Sequence, residues 1–122
     1  MTQEDKELLL RDICARLPYG VKCKYYDCCE GDYNEGTICG FERQEYIQID
    51  GVCIHIEEVK PYLFHLSSMT DEQYREFLST CNGYCDYYWT EETFDWLNKN
   101  HFDYRCLIEK GLAIDATGLN IY

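Results

Sequence analysis

The sequence predicts an α+β fold: a small antiparallel sheet or barrel over about residues 20–63, packed with an N-terminal helix and two to three C-terminal helices. Three observations carry this. Val21-Lys22-Cys23-Lys24-Tyr25 alternates apolar and charged side chains, the period of a strand with one face in a core and one in water. Asp50-Gly51 sits between Tyr46-Ile47-Gln48-Ile49 and Val52-Cys53-Ile54-His55-Ile56, a strong hairpin signal. Outside this region, apolar residues recur instead at helical spacing behind well-formed caps.

In chain order, Thr2 is the N-cap of the first helix, with Glu4 and Asp5 in its positive first turn. Leu9, Ile13 and Leu17 follow on one stripe beside Leu10 and Cys14, and Leu17-Pro18-Tyr19-Gly20 ends the helix. After the first strand, Asn34-Glu35-Gly36 reads as a turn, Ile38 and Phe41 as a second strand, and Val59-Lys60-Pro61-Tyr62-Leu63 as the closing strand. Thr70 and Gln73 form a capping box, with Met69 placed to clasp Tyr74. Tyr74, Phe77, Leu78 and Cys81 then give the apolar face of a second helix, stopped by Asn82-Gly83. Thr90 caps a third, with Glu91 and Glu92 in its first turn and Trp89 placed to staple onto Phe94; it runs to about Asn100. Asp103 caps a last short helical turn, Tyr104 to Lys110, ended by Gly111. The expected core is Val21, Ile38, Ile47, Ile49, Ile54 and Ile56 from the sheet, met by Leu9, Ile13, Phe77 and Leu97.

With 122 residues, two prolines, no repeats and no low-complexity segment, one domain over residues 1–122 is expected. Met1 to Lys6 is acidic and polar, and Leu8-Leu9-Leu10 is far too short to insert in a membrane, so a cytoplasmic protein is expected. The net charge is −12, spread along the chain: residues 1–20 carry three basic and four acidic groups, 21–63 four and nine, 64–122 four and ten. Such a field repels phosphate backbones and anionic lipid, which argues against direct nucleic-acid or membrane binding. It either keeps the protein soluble or presents carboxylates to a partner's basic groove.

Nine cysteines, an odd number without a secretion signal, read as free thiols of a reducing compartment. Cys14 and Cys23 fall on predicted core faces. Of the spacings, only Cys81 with Cys85 fits a zinc ligand pair, and no companion pair matches it, so neither a metal nor another cofactor is expected. Phosphate-binding glycine loops and the serine-hydrolase elbow are missing. Cys53 and His55 are a formal thiol–imidazole pair, but i, i+2 neighbours on a strand lie about 7 Å apart, too far for direct proton transfer. His65 and His101 read as structural, the latter at a helix C-terminus where a cation is favoured. No catalytic residue is assigned, and the chain is expected not to be an enzyme.

Aromatic residues stand out: twelve tyrosines and two tryptophans, with four aromatics in Tyr84-Cys85-Asp86-Tyr87-Tyr88-Trp89. Such a loop either folds onto the core or presents a partner-binding patch, since Tyr and Trp dominate binding hot spots. With Trp89 committed to its staple, the candidate partner-binding residues are Tyr84, Tyr87 and Tyr88, rimmed by Asp86, Glu91 and Glu92 and suited to a protein with a basic surface.

Leu17-Pro18-Tyr19-Gly20-Val21, Glu57-Glu58-Val59-Lys60-Pro61-Tyr62-Leu63, Leu66-Ser67-Ser68-Met69-Thr70 and the run from Phe94 to Arg105 resemble a family of small uncharacterised proteins. Its members are common in genomes of gut anaerobes and in their phages and mobile elements. Cys28-Cys29 departs from that pattern. The strand segment separately resembles an SH3-like small barrel. The resemblance implies a setting and no catalytic residues. The expected role is a non-enzymatic, phage- or mobile-element-associated accessory protein that binds another protein. The alternatives are an acidic nucleic-acid mimic that antagonises a host defence nuclease and, least supported, a Cys/His-dependent enzyme.

Overall fold

The computed structural model describes residues 1–43, 45–82 and 88–122. Helix α1 (Gln3–Arg16) opens on a capping box: the Asp5 N–H donates to Thr2 Oγ1 at 3.1 Å, and the Thr2 N–H donates to Asp5 Oδ2 at 3.3 Å. Its core stripe is Leu9, Asp12, Ile13 and Arg16. Cys14, expected on this stripe, is exposed, because it sits about 100° around the helix from Ile13. The helix tightens into a 3₁₀ turn over Leu17–Tyr19, and Gly20 at φ 72° turns the chain into the sheet.

Strand β1 (Lys22–Asp27) pairs antiparallel with the long strand β2 (Asp32–Arg43). The reversal falls at residues 28–31, not at Asn34-Glu35-Gly36, which lie inside β2 opposite Tyr25, Lys24 and Cys23. Gly36 has a different use from the turn its sequence suggested. A Cβ there would stand 2.6 Å from Ile49 Cγ2 and 2.7 Å from Asp50 Oδ2, so the glycine lets β2 pass under the next hairpin. Beyond it β2 bends through two irregularities and pairs with β3 (Tyr46–Ile49). Asp50 and Gly51, at φ 46° and 88°, then form the expected tight hairpin to β4 (Val52–His55). A 3₁₀ turn over Ile56–Glu58 leads into β5 (Val59–His65), antiparallel to β1.

After β5 come α2 (Asp71–Thr80) and α3 (Glu91–Lys99), both with the expected capping threonines and acidic first turns. Two short strands, β6 (Phe102–Asp103) and β7 (Ile114–Asp115), then lie parallel along the outer edge of β5. The result is an open mixed sheet of seven strands among the described residues, ordered β4-β3-β2-β1-β5-β6 with β7 also on β5. The antiparallel pairing expected from sequence is thus joined by unexpected parallel pairing at one edge. β4 pairs with β3 alone among the described residues, so the sheet does not close into a barrel. The predicted helical turn from Tyr104 to Lys110 is instead a series of turns, interrupted by Cys106 at φ 59°. Asp103 still caps it, accepting the N–H groups of Arg105, Leu107 and Ile108 at 3.0–3.2 Å.

All six predicted sheet residues, with Leu9, Ile13 and Leu97, are buried. Phe77 is only half-buried and belongs to a separate aromatic cluster. Val59, Tyr62, Leu63, Phe102, Leu107, Leu112 and Ala116 are among the other buried residues. No helix among the described residues is long and apolar enough to cross a membrane.

Candidate functional site: an aromatic face on α2 and α3

The joint between α2 and α3 is built by threonines. The Thr80 carbonyl, at the end of α2, accepts both the Thr90 and the Thr93 hydroxyls at 2.9 Å. This ties the N-cap of α3 to the C-terminus of α2. Beside it, Asn82 and Tyr88 exchange backbone hydrogen bonds at 2.9 and 2.6 Å, which places Tyr88 and Trp89 at the head of α3.

From this joint the aromatic rings run in contact. Tyr74 lies 6.4 Å from Phe77, Phe77 5.7 Å from Trp89, Trp89 5.5 Å from Phe94, and Phe94 5.3 Å from Tyr104. The Trp89–Phe94 staple predicted from sequence is present, edge to face. Edge-to-face pairs of this kind hold rings in place without burying them fully. Tyr88 remains 66% exposed, Tyr74 53%, Trp89 40% and Phe94 39%, so the cluster keeps a large aromatic surface open to solvent.

Charge surrounds this surface. Asp71 precedes Tyr74, and Glu91 precedes Phe94, by three positions, which puts each carboxylate on the same helix face as its ring. Glu72 and Glu92 are also exposed in the first turns. Of the sequence-predicted residues, Tyr88, Glu91 and Glu92 are exposed at the head of α3; Tyr84, Asp86 and Tyr87 lie outside the described residues. Tyr74 and Phe94 were missed as surface rings. Their exposure depends on the α2–α3 packing, which helix periodicity alone does not give.

Beneath the face, charged groups fasten it to the sheet. Asp12 accepts Arg16 Nε at 2.9 Å and Arg105 Nη1 at 2.8 Å, and Arg16 Nη2 donates to the Phe102 carbonyl at 2.6 Å. Asp12 and Arg16 are both fully buried. Tyr104 sits between the guanidinium groups, 5.2 Å from Arg16 and 4.6 Å from Arg105 by ring centroid, and its hydroxyl donates to Asn98 Oδ1 at 2.8 Å. The floor of the face is therefore tied together by ion pairs and hydrogen bonds from α1, β6 and the segment after it.

His101 is not the cation its position at the end of α3 suggested. Its ring stacks on Tyr122 at 3.7 Å, and burial, with Arg16 and Lys22 nearby, holds its pKa down to about 4. Desolvation outweighs the helix dipole here, so the imidazole is neutral. Its φ of 63° places it as the left-handed residue that ends α3, a position more often held by glycine.

The Cys53–His55 pair has different partners from the ones catalysis needs. The Cys53 thiol donates to Glu42, and that bond pushes its pKa up, away from a reactive thiolate. His55 Nε2 is 3.1 Å from Glu45, and its Nδ1 accepts the Glu57 N–H at 3.2 Å. Cys23 is buried as expected, with its pKa raised to about 12 by desolvation. Among the described residues, one group has metal-ligand proximity: Asp27, Cys28 and Cys29. Cys85, half of the spacing singled out in the sequence, lies outside the described residues. Comparison with family models, curated proteins and solved structures returned no match, so the chain's own geometry carries the reading.

Proposed function

We propose that this chain is a non-enzymatic accessory protein that binds another protein through the aromatic face of α2 and α3. The carrying observation is the run of contacting, part-exposed rings from Tyr74 through Trp89 to Phe94, with Tyr88 beside it and carboxylates of both helices at its edge. Large rigid rings supply contact area at low entropic cost, and the acidic rim favours a partner with a basic surface around an apolar anchor. The engagement of Cys53 and His55 by carboxylates and a backbone N–H supports a role without nucleophilic catalysis. The sequence resemblance supports a phage or mobile-element setting, and the free thiols support a cytoplasmic one. The strand order β5-β1-β2-β3-β4, with a 3₁₀ turn between β4 and β5, supports an SH3-like reading of the scaffold.

The net charge of −12 favours one other reading, an acidic mimic that occupies the nucleic-acid groove of a host nuclease. The two differ in their response to salt. Immobilised wild-type protein and a Tyr74→Ser/Tyr88→Ser variant are compared for capture from host lysate at low and high salt. Binding through the aromatic face predicts a wild-type complex that survives high salt and is lost in the variant. A complex dispersed by salt or by added DNA, and unaffected by the variant, would instead establish mimicry.

A further inference from the structure

The turn between β1 and β2 holds a chemically separate group. Residues 28–31 reverse the chain, with the Gly31 N–H donating to the Asp27 carbonyl at 2.7 Å and Gly31 itself at φ 72°. Inside a strand, adjacent side chains point to opposite faces, so a Cys-Cys pair there would be split. At this turn the two sulfurs lie within 4.8 Å of each other. The Asp27 carboxylate is fixed against them, because its Oδ1 accepts the Cys29 N–H at 2.9 Å. The two sulfurs and a carboxylate oxygen all lie within 4.8 Å of one another.

These distances suit one ion. Metal–sulfur bonds of about 2.3 Å and metal–oxygen bonds of about 2.0–2.2 Å place tetrahedral ligands about 3.5–3.8 Å apart, within side-chain adjustment of the positions seen. Both cysteines are exposed, so an ion reaches them without opening the fold. The surroundings are acidic as well: Glu30 lies in the same turn, held by Asn34 at 3.0 Å, and Asp32 begins β2. Two sulfur donors with a single oxygen select against hard cations such as magnesium and calcium.

We propose that Asp27, Cys28 and Cys29 form a binding site for a thiophilic divalent metal ion of the zinc and cadmium type, with solvent in the fourth position. Each thiol gives its proton to solvent as its sulfur–metal bond forms, so uptake weakens on acidification. This revises, for one turn, the sequence expectation that the cysteines hold no metal. It is independent of the aromatic face.

The test is titration of reduced, metal-free protein with Cd²⁺, followed by the thiolate-to-cadmium charge-transfer absorbance. Saturation at about one ion per chain is expected, with zinc competing and magnesium not. Cys28→Ser and Cys29→Ser should each weaken binding by about tenfold or more, Asp27→Asn by a smaller factor, and Cys39→Ser not at all. Cys28, Cys29 and Cys39 are exposed and Asp27 sits at the end of β1, so the metal-free melting temperatures should stay close to wild type, which separates loss of the site from loss of the fold. The proposal is overturned if wild type gives no saturable band, if the band persists in the Cys28→Ser/Cys29→Ser protein, or if Asp27→Asn binds as tightly as wild type.

Discussion

His101 makes the stability of this protein depend on pH between about 6.5 and about 4. In the folded chain its pKa is held down to about 4, while an unfolded imidazole titrates near its ordinary value of 6.5. Between these values the unfolded chain binds the proton and the folded one does not, so stability falls as pH drops from about 6.5 to about 4. At about 1.36 kcal/mol per pKa step, the full difference of about 2.5 corresponds to about 3.4 kcal/mol. The ring is only part-buried, and solvent screening lowers this, so a loss of about 1–2 kcal/mol between about pH 7 and pH 5 is expected. Carboxylates held low in the fold, such as Asp115, lose their contribution at more acidic pH and leave this window clear. The assay is urea denaturation across the range for wild type and His101→Asn. Asparagine tolerates the left-handed backbone at this position but carries no titrating ring. The variant should be less stable near neutrality, having lost the stack on Tyr122, yet nearly flat across the window. A variant with the wild-type pH slope would refute the reasoning and move the proton elsewhere.

Three further outcomes test the packing. Ile54→Ala, at a buried β4 position, should cost about 2–5 kcal/mol in chemical denaturation; a loss below about 0.5 kcal/mol would mean that the register of β4 is wrong, since a slip by one residue exchanges the faces. Gly36→Ala should cost about 1–3 kcal/mol, because the new methyl meets Ile49 and Asp50; a neutral effect would contradict the close approach of β2 to the β3–β4 hairpin. Asp12→Ala should cost about 3–5 kcal/mol by leaving the Arg16 charge buried without its partner. The double change Asp12→Ala/Arg16→Met should recover part of that loss, and an additive result would show the pair to be uncoupled.

What the sequence revealed follows from how local each signal is. The Asp50-Gly51 hairpin, the three helix caps and the Trp89–Phe94 staple each depend on residues within about five positions, and all are legible. The β1–β2 turn was misplaced because glycine has two uses. Gly31 supplies the positive φ of the turn, whereas Gly36 makes room for a neighbouring hairpin, which only tertiary packing reveals. β6 and β7 were invisible for a related reason: two-residue strands carry no period, and they exist because the edge of β5 offers unpaired backbone groups. Asp12 and Arg16 were equally hidden, since a polar pair on a helix looks solvated until the chain returns Phe102 and Arg105 to cover it. At the candidate face, composition singles out Tyr88, Glu91 and Glu92, whereas the exposure of Tyr74 and Phe94 depends on how α2 packs on α3 through Phe77 and Trp89.

Calorimetric titration of the purified binding partner against wild type and Tyr74→Ser/Tyr88→Ser tests the role of the aromatic face most directly. Each exposed ring at a contact centre contributes about 1–2 kcal/mol, so the double variant should bind about thirtyfold or more weakly while melting within about 2 °C of wild type. Wild-type affinity in the double variant, with the fold intact, would contradict the central claim.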